Sequence, residues 1–495
     1  MKRLGILAAA LLLGGCMVGP NYKPAAVPPA ATAPFAGAPA ATADLPPRWW
    51  RLYDDPTLDA LVDEALRHNT DVRVAAANLR RARYVLAEAR GSLLPQTSTT
   101  AQYSHTREGA AALGVTTAAV DAAGNPTAGP NGYTFDAYSL GLDVNYELDL
   151  FGGVRRGIQA ARADYEATAA ALDAARVAVA ADTARSYAES CGYAEQVAAA
   201  KETVALQART LDLTERLNTG GRATLRDVEE ARTLYEQTRA SLASLDAERR
   251  ATLDALAVLT GRTPTALDPV VATCARPPRL SQPTPVGDGR ALLARRPDVR
   301  QAERRLAADT ARIGVAVADL YPKISLLGSI SIGSTRFSDL GKSRSLSYSL
   351  GPLISWSFPI QSVARARVRQ AQASADASLA GFDGTVLTAL KEVEQALARL
   401  QGEATRNDAL ARAFTAANNA ATITRYRFDY GADNFLQLLD VERARASASA
   451  ALAQSDTALV DAEIDLFRAL GGGWEQAPPV AEKRFDGTPH SAPAG

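Results

Sequence analysis

Residues 138–150 read YSLGLDVNYELDL, a run in which apolar residues alternate with polar or small ones at every position. A period of two indicates a β-strand with one apolar and one polar face. The polar face carries three carboxylates, Asp143, Glu147 and Asp149. A strand of a transmembrane barrel needs roughly 9–11 residues, apolar outside and polar inside. The run fits that pattern, although a strand of a soluble sandwich would show the same alternation.

Three other segments are also predicted to be strands. Residues 323–334 and 346–358 alternate in the same way, and residues 96–105 are rich in Thr, Ser and Gln. Together with residues 136–150 they give four predicted strands in one chain. Pro352 cannot donate a hydrogen bond to a neighbouring strand, so it predicts a bulge or an irregular strand.

Very long helices follow the second strand of each pair. No proline occurs from Val154 to about Leu217, and a helix of that length would extend on the order of 100 Å. Such a helix must pack lengthwise on similar helices, although a solvent-exposed coiled-coil stalk would give the same pattern. The predicted long helices are residues 154–218, 223–260, 363–428 and 435–470.

The chain contains the same motifs twice in the same order. Asp-Val-Arg at 71–73 recurs at 298–300, Tyr-Ser-Leu-Gly at 138–141 recurs at 348–351, and Asp-Val at 227–228 recurs at 440–441. Chance would not preserve this order. We therefore predict two tandem structural repeats at 49–270 and 288–473, an inter-repeat linker at 271–287 and a disordered tail at 474–495.

The N-terminus has the organisation of an exported lipoprotein. Residues 1–15 contain a basic head and a short apolar stretch, which indicates a signal peptide. Leu-Gly-Gly before Cys16 resembles a bacterial lipobox, which implies a diacylglycerol and an N-acyl group on Cys16; an ordinary signal peptide with a chance cysteine is the alternative. No Asp follows Cys16, which implies sorting to the outer membrane. Residues 16–48 are predicted to be a lipidated tether, extended over the run from Pro24 to Pro47.

Composition excludes several classes of function. The 54 basic and 54 acidic residues give a net charge of +0, so no nucleic-acid partner is expected. The three histidines have no metal-ligand spacing, and neither a phosphate-binding loop nor a Gly-x-Ser-x-Gly motif occurs. We expect no enzymatic activity, no metal and no cofactor besides the lipid. Cys191 and Cys274 would lie in an oxidising compartment, either as a disulfide or as two buried thiols.

Four strands cannot close a barrel, and an open sheet edge in lipid leaves backbone groups unpaired at several kcal/mol each. Several chains must therefore share one barrel. Two chains would supply about 8 strands and three would supply about 12, both within the known range. Strand physics alone does not choose between these numbers.

Three segments occur in a characteristic order, from Cys16 to Pro24, around Trp50 and Asp55-Pro56, and as Arg-Pro-Asp-Val at 296–299. Together they resemble the TolC-like outer-membrane factor family, in the lipoprotein branch that serves RND-type efflux pumps. The resemblance implies an α+β membrane protein, a homotrimer with a 12-stranded transmembrane β-barrel in outer-membrane lipid and a long periplasmic α-helical barrel. It also implies two partners, a periplasmic adaptor and an inner-membrane RND-type transporter.

The same resemblance implies a periplasmic gate at the tips of the helical hairpins. Its residues are expected to be Arg427, Phe428, Asp433 and Asp440, with Arg216 and Asp227 as their counterparts in the first repeat. The alternative is that these charges are solvated helix caps. Asp143, Glu147 and Asp149 would face the barrel lumen and give a mild cation preference, unless neighbouring arginines such as Arg155 pair with them.

The function most consistent with these observations is a passive exit duct for drugs or other small toxic molecules, in the outer-membrane part of a tripartite efflux system. The exit duct of a type I protein secretion system has the same fold and is the first alternative. A coiled-coil lipoprotein without a pore is the second.

Overall fold

A computed structural model describes residues 17–37, 45–108, 133–282 and 284–481. Cys16 and the predicted signal peptide at 1–15 lie outside these residues. The chain forms two compact units. The first contains the described part of Met1–Lys23 together with Ala82–Tyr165 and Arg305–Ser378, and the second contains Pro24–Arg81, Glu166–Arg304 and the described part of Leu379–Gly495.

The described residues contain four long strands and eight α-helices besides short 3₁₀ turns. The strands are β1 (Gln96–Glu108), β2 (Tyr133–Leu148), β3 (Lys323–Ser334) and β4 (Leu346–Ser355). The helices are α1 (Pro56–His68), α2 (Thr70–Gly91), α3 (Gly153–Thr219), α4 (Leu225–Leu259), α5 (Gly289–Arg295), α6 (Pro297–Ala318), α7 (Ser362–Asp429) and α8 (Phe435–Ala469). None of the helices in these ranges is apolar over enough residues to cross a bilayer.

The strands form one antiparallel sheet in the order β1-β2-β3-β4. The register from β3 to β4 is continuous from Lys323 opposite Ser355 to Ile332 opposite Leu346. The bulge predicted at Pro352 is therefore absent from this register. Pro352 is tolerated because β4 lies at the edge of the described sheet, where a residue without an N–H can be accommodated. β4 also ends at Ser355, three residues before the predicted end.

One face of this sheet is apolar and exposed. Leu140 and Leu142 of β2 lie opposite Ile332 and Ile330 of β3, and residues that face each other across a ladder project to the same side. Exposed residues of the same face include Ile354 of β4. β2 thus has the predicted alternation, and its apolar side is exposed in the single chain.

The apolar spacing and the helix-forming residues of 56–90 predict one helix, but the structure has two, α1 and α2. Asn69 separates them, because its side-chain oxygen accepts a hydrogen bond from the Asp71 amide at 2.8 Å, as a helix cap does. The Asn69 side-chain nitrogen donates to the Leu259 carbonyl at 3.0 Å. This cap ends α1 and begins α2 at a single residue, Asn69.

Alanine dominates the packing surface of the long helices. α3 and α7 contain 67 and 68 residues, and α4 and α8 contain 35 each. The buried apolar side chains of α3 are mostly alanines, among them Ala170, Ala180, Ala184 and Ala188. Small side chains allow helix axes to approach closely, which explains how a chain poor in aromatic residues packs such long helices.

The aromatic residues are concentrated in the core of the second unit. Trp49 stacks on Phe467 with ring centroids 4.6 Å apart, and Trp50 is buried beside them. Ala31 and Phe35 from the Pro- and Ala-rich run belong to the same core. The described part of residues 24–47 is therefore packed on the core and is not a free tether. Burial of a large apolar side chain stabilises the fold by about 1.5–3 kcal/mol, which favours this packing.

Residues 474–481 correct the predicted disordered tail. The Arg300 guanidinium lies 4.4 Å from the centre of a Trp474 ring, and the Ala481 amide donates to the Arg67 carbonyl at 2.8 Å. Val480 packs on the cluster around Val72. The remainder of the tail, residues 482–495, lies outside the described residues.

Candidate functional site

Two helical hairpins carry the predicted gate residues. The first hairpin is defined here as residues 212–235 and the second as residues 422–445. Helix ends, turns and helix starts in the two hairpins are related by a constant offset of 210 residues. Gly221 and Gly431 take positive φ angles of 70° and 75° at equivalent turn positions, a conformation that favours glycine.

In the second hairpin an ion pair crosses the turn. Arg427 Nε donates to Asp433 Oδ2 at 2.9 Å, and the Asp433 carboxylate raises the pKa of the Arg427 guanidinium. The Phe428 and Phe435 rings lie 6.5 Å apart. Asp440 does not join this pair, because its side chain is 80% exposed and its nearest cation, Arg443, is 4.0 Å away.

A buried carboxylate close to this turn was missed from the sequence. Glu442 lies between Arg425, which pairs with it across the two helices, and Arg445, whose Nε is 3.7 Å from Glu442 Oε2. Only 7% of the Glu442 side chain is exposed. The spacing of Glu442 and Arg445 on one helix face was the available signal. Arg445 also contacts Glu202 of α3 at 3.3 Å, so the second hairpin is tied to another helix by charge.

The first hairpin uses its charges differently. Asp227 forms a capping box with Thr224, accepting from the Thr224 amide at 2.8 Å, and these hydrogen bonds lower the pKa of Asp227. Arg216 pairs with Asp212 one turn back on its own helix at 2.8 Å. Within the single chain, Arg216 therefore belongs to a surface ion pair and Asp227 to a helix cap. This matches the alternative given above, that these charges are solvated helix-cap residues.

The counterpart assignment between the repeats also changes. At the structural offset of 210 residues, Asp227 matches Gln437, which closes the equivalent capping box with Asn434. The motif match of Asp227 with Asp440 is displaced from this by three residues. Arg427 likewise matches Leu217, because the amides of Arg222 and Ala432 donate to these two residues at equivalent positions.

The polar face of the sheet carries two of the three predicted lumen carboxylates. Asp143 lies opposite Ser98 of β1 and Ser329 of β3, and Glu147 lies opposite Ser325. Both acidic residues are exposed on this hydroxyl-lined face. Such a face can attract cations, because the hydroxyls directly opposite these carboxylates carry no positive charge that would neutralise them.

Asp149 is not a free lumen carboxylate. It lies beyond the end of β2 and accepts hydrogen bonds from the Val154 and Arg155 amides, each at 3.0 Å. Its Oδ2 also pairs with Arg155 Nε at 3.0 Å. The carboxylate therefore caps the N-terminus of α3, where a negative charge is favoured.

Cys191 and Cys274 form a disulfide in the structure, with Cα atoms 5.2 Å apart. Cys191 is buried in α3, and Cys274 lies in the predicted linker. Arg249 of α4 donates to the Ala272 carbonyl of this linker, and Arg276 of the linker pairs with Glu195 of α3. The linker is thus held against the helices at several points.

Two partly buried carboxylates of α8 were also missed. Burial raises the pKa of Asp461 to about 7, and the nearby Glu189 charge adds to this effect. Burial raises the pKa of Glu463 to about 7, although a hydrogen bond from the Tyr53 hydroxyl at 3.0 Å opposes it. Nothing in the local pattern separates these residues from solvated carboxylates.

The segment that follows Cys16 is held at the start of α3. Arg156 Nε donates to the Val18 carbonyl at 3.0 Å, and its Nη2 donates to Asn21 Oδ1 at 2.9 Å. Gly19 has a φ of 86°, and a Cβ there would lie 2.5 Å from the Gly314 Cα. Residues 17–22 are therefore fitted against this helix, while the predicted lipid site Cys16 lies outside the described residues.

Among the described residues, no group of three His, Cys, Asp or Glu side chains is arranged to hold a metal ion. The described residues thus contain a sheet with one apolar and one polar face, and two long helical hairpins that end in charged turns.

Residues 61–262 and 289–472 match the family described as outer membrane efflux protein, and each segment falls within one predicted repeat. Outer membrane protein OprJ of Pseudomonas aeruginosa is 32% identical over 472 residues, which cover 95% of each chain. The solvent efflux pump outer membrane protein SrpC of Pseudomonas putida is 29% identical, over 94% of this chain and 97% of its own length.

The structure of the outer-membrane channel OprN is similar with a TM-score of 0.82 and 35% sequence identity. The likeness covers 93% of this chain and 100% of that one. It confirms the predicted fold class, in which a small sheet continues into a long helical part. The resemblance to TolC-like outer-membrane factors is confirmed as well, and the chain belongs to the outer membrane efflux protein family.

Proposed function

We propose that this chain is the outer-membrane channel of a tripartite efflux system, a passive exit duct for drugs or other small toxic molecules. The observation that carries the proposal is the family match over both repeats, and an exposed apolar sheet face and very long helices in the same chain support it. The energy for export comes from a partner, since the duct itself only conducts.

The proposed assembly is a homotrimer. β1 and β4 are the outer strands of the described sheet, and each offers one edge for pairing. An unpaired edge in lipid costs several kcal/mol for each unsatisfied group, which favours closure with neighbouring copies. Three copies would supply 12 strands, enough to leave a water-filled passage lined by the face that carries Asp143 and Glu147.

The chain is proposed to reside in the outer membrane with Cys16 lipidated by diacylglycerol and an N-acyl group. Support comes from the lipobox pattern and from the contacts of Arg156 with the segment directly after it. These contacts would hold the acylated end close to Phe151, whose carbonyl accepts from the Val18 amide at 3.2 Å. A lipid there would supplement the sheet as a membrane anchor.

The hairpin turns are proposed to form the periplasmic gate and to meet a periplasmic adaptor and an inner-membrane RND-type transporter. The Arg427–Asp433 pair would hold the second turn in one shape. Three copies of Asp440 around a narrow axis would repel one another, and Arg443 would relieve part of that repulsion. Relative SrpC is named for solvent efflux, which suggests small apolar compounds as a first panel of substrates.

The test is ethidium accumulation and drug susceptibility in a deletion strain that carries wild type, Cys16→Ala or an empty vector. Wild type is expected to restore export. The Cys16→Ala variant is expected to restore less if lipidation supports insertion. Unchanged accumulation after deletion, with redundant ducts also deleted, would remove the efflux proposal and favour a protein-secretion duct.

Single-channel conductance of the purified protein separates the remaining alternative. A trimeric duct is expected to give discrete conductance steps in a planar bilayer. A coiled-coil lipoprotein without a pore would give none. Selectivity measured in the same bilayer tests the mild cation preference, and Asp143→Asn with Glu147→Gln is expected to reduce it.

A further inference from the structure

One end of the sheet carries a row of aromatic side chains on its apolar face. Tyr103 of β1 lies opposite Tyr138 of β2, and their ring centroids are 5.0 Å apart. The Phe337 ring, from the segment between β3 and β4, lies 5.6 Å from the Tyr138 ring. Tyr138 shares its face with Leu140 and Leu142, because alternate residues of a strand project to the same side. Phe337 therefore lies on the apolar side of the sheet.

The segment that contains Phe337 has a surplus of positive charge. Residues 335–345 include three cations and one carboxylate, which gives a formal charge of +2. Lys342 Nζ and Arg344 Nη2 both contact the same oxygen of Asp339, at 2.5 and 2.6 Å. One carboxylate cannot neutralise two cations. Arg336 is exposed and makes no ion pair with any described residue, so it adds to the surplus.

Neutralisation by the neighbouring segment is not expected. The residues between β1 and β2, 109–132, include a single charged residue, Asp121. On the same face, Asp136 of β2 accepts a hydrogen bond from the Tyr103 hydroxyl at 3.0 Å and lies 2.8 Å from His105 Nδ1, while Arg107 of β1 adds a cation that offsets this carboxylate. The cations of residues 335–345 therefore remain available next to an aromatic row and an apolar surface.

We propose that residues 335–345, together with Tyr103 and Tyr138, form a binding surface for phosphate-bearing lipid headgroups of the outer leaflet. The inference rests on the proposed position of the sheet in the outer membrane, with this end opposite the helices. Aromatic rings favour the boundary between acyl chains and headgroups. Cations at that depth attract lipid phosphates, and Ser338 and Ser343 add hydroxyl donors.

The combination of cations with an aromatic, apolar face favours a lipid over a protein. The row and the loop face the side of the sheet that is apolar, where an acyl chain can lie below its own headgroup. A free phosphate would use the cations but gain nothing from the rings. The surface is thus expected to prefer an amphiphile that carries both groups.

The experiment uses the purified full-length protein in detergent and titrates it with diphosphorylated lipid A, its dephosphorylated form or inorganic phosphate. Binding is measured by native mass spectrometry. Wild type is expected to bind the phosphorylated lipid most tightly. The variant R336Q/K342Q/R344Q is expected to bind it about tenfold more weakly or worse. The charge-preserving R336K/R344K is expected to bind like wild type.

A matched control removes three exposed arginines elsewhere, in R239Q/R250Q/R412Q, and is expected to bind like wild type. Equal binding by the triple glutamine variant, or equal binding of the dephosphorylated lipid, would overturn the proposal. So would inorganic phosphate that competes at the lipid's own concentration. The readout needs no transport, so a failed ethidium test would affect the proposed function and leave this result standing.

Discussion

The first and second hairpins share one backbone and differ in where their charges lie. At the offset of 210 residues, the cross-helix pair of Glu215 with Arg232 in the first hairpin matches Arg425 with Glu442 in the second. The polarity of the pair is reversed. The first pair is about half exposed on both sides, whereas Glu442 is almost fully buried.

This difference shows that duplication preserved the turn and left the electrostatics free to diverge. A turn depends on local backbone conformation and caps, which the two copies share. An ion pair needs only complementary charge across two helices, so either orientation serves. The second hairpin has become the more strongly connected of the two, through Glu442, Arg445 and the cross-turn pair of Arg427 with Asp433.

The largest expected effect tests this asymmetry. Glu442→Ala leaves Arg425 and Arg445 without their buried partner and should destabilise the second hairpin by about 3 kcal/mol. Glu215→Ala removes an exposed partner and should cost about 0.5 kcal/mol. Native-state hydrogen exchange of the hairpin amides measures both. Similar losses in the two variants would show that burial does not distinguish the hairpins.

The second test extends the comparison along the helices. Asp461 and Glu463 of α8 match Ala251 and Leu253 of α4, so only the second repeat buries carboxylates here. Their pKa values rise from 3.8 and 4.5 to about 7, so the folded chain binds more protons than the unfolded chain between these limits. Stability from this source is present at low pH and is lost as pH rises through about 7.

Asp461→Asn with Glu463→Gln should therefore raise stability at pH 8 by about 1–3 kcal/mol and flatten its dependence on pH. Thermal unfolding between pH 5 and 8 measures this. Glu236→Gln, an exposed residue of α4, is the control and should leave the profile unchanged. A double variant with the wild-type profile would mean that Arg185 or Arg279 compensates the two charges.

The caps should show where the hairpins are alike. Thr224→Ala and Asn434→Ala each remove the side chain that accepts from the third helical amide, and each should cost about 1 kcal/mol. Thermal unfolding or exchange at the turn measures the loss. Thr233→Ala, within α4, should cost clearly less. Unequal losses at the two caps would contradict the shared turn geometry.

The smallest effect on stability is expected at the cross-turn pair, where the consequence is functional. Asp433→Asn should weaken the hold on the second turn and increase channel openings up to about fivefold in a planar bilayer. Ala223→Asn changes the equivalent position of the first hairpin, where Leu217 replaces the arginine, and should leave openings unchanged. An equal number of channel openings in the two variants would show that the Arg427–Asp433 pair does not control gating.

Much of the fold followed from short-range pattern. Period two over residues 138–150 and the absence of proline after Val154 depend on neighbours in the chain, and the structure has β2 and α3 there. The repeated motifs predicted two repeats, and the structure has an equivalent hairpin in each. The gate residues remain a prediction, with Arg427 and Asp433 placed together and Asp440 apart.

Partner choice could not be predicted in the same way. Asp149 continues the alternation of β2 but caps α3, because the chain turns there. The motifs at Asp227 and Asp440 have the same sequence, but they are three residues out of register when the two hairpins are aligned by structure. The packing of Phe35 and Trp474 required distant surfaces that no local window contains.

The sequence by itself determined the strands, the long helices, the duplication and the family, because backbone periodicity and turn chemistry act over a few residues. The tertiary structure decided the sheet register, the break at Asn69, the burial of Glu442 and the pKa values of Asp461 and Glu463. These features depend on which distant segments pack against one another. Burial and charge pairing arise from those tertiary contacts and not from the local sequence.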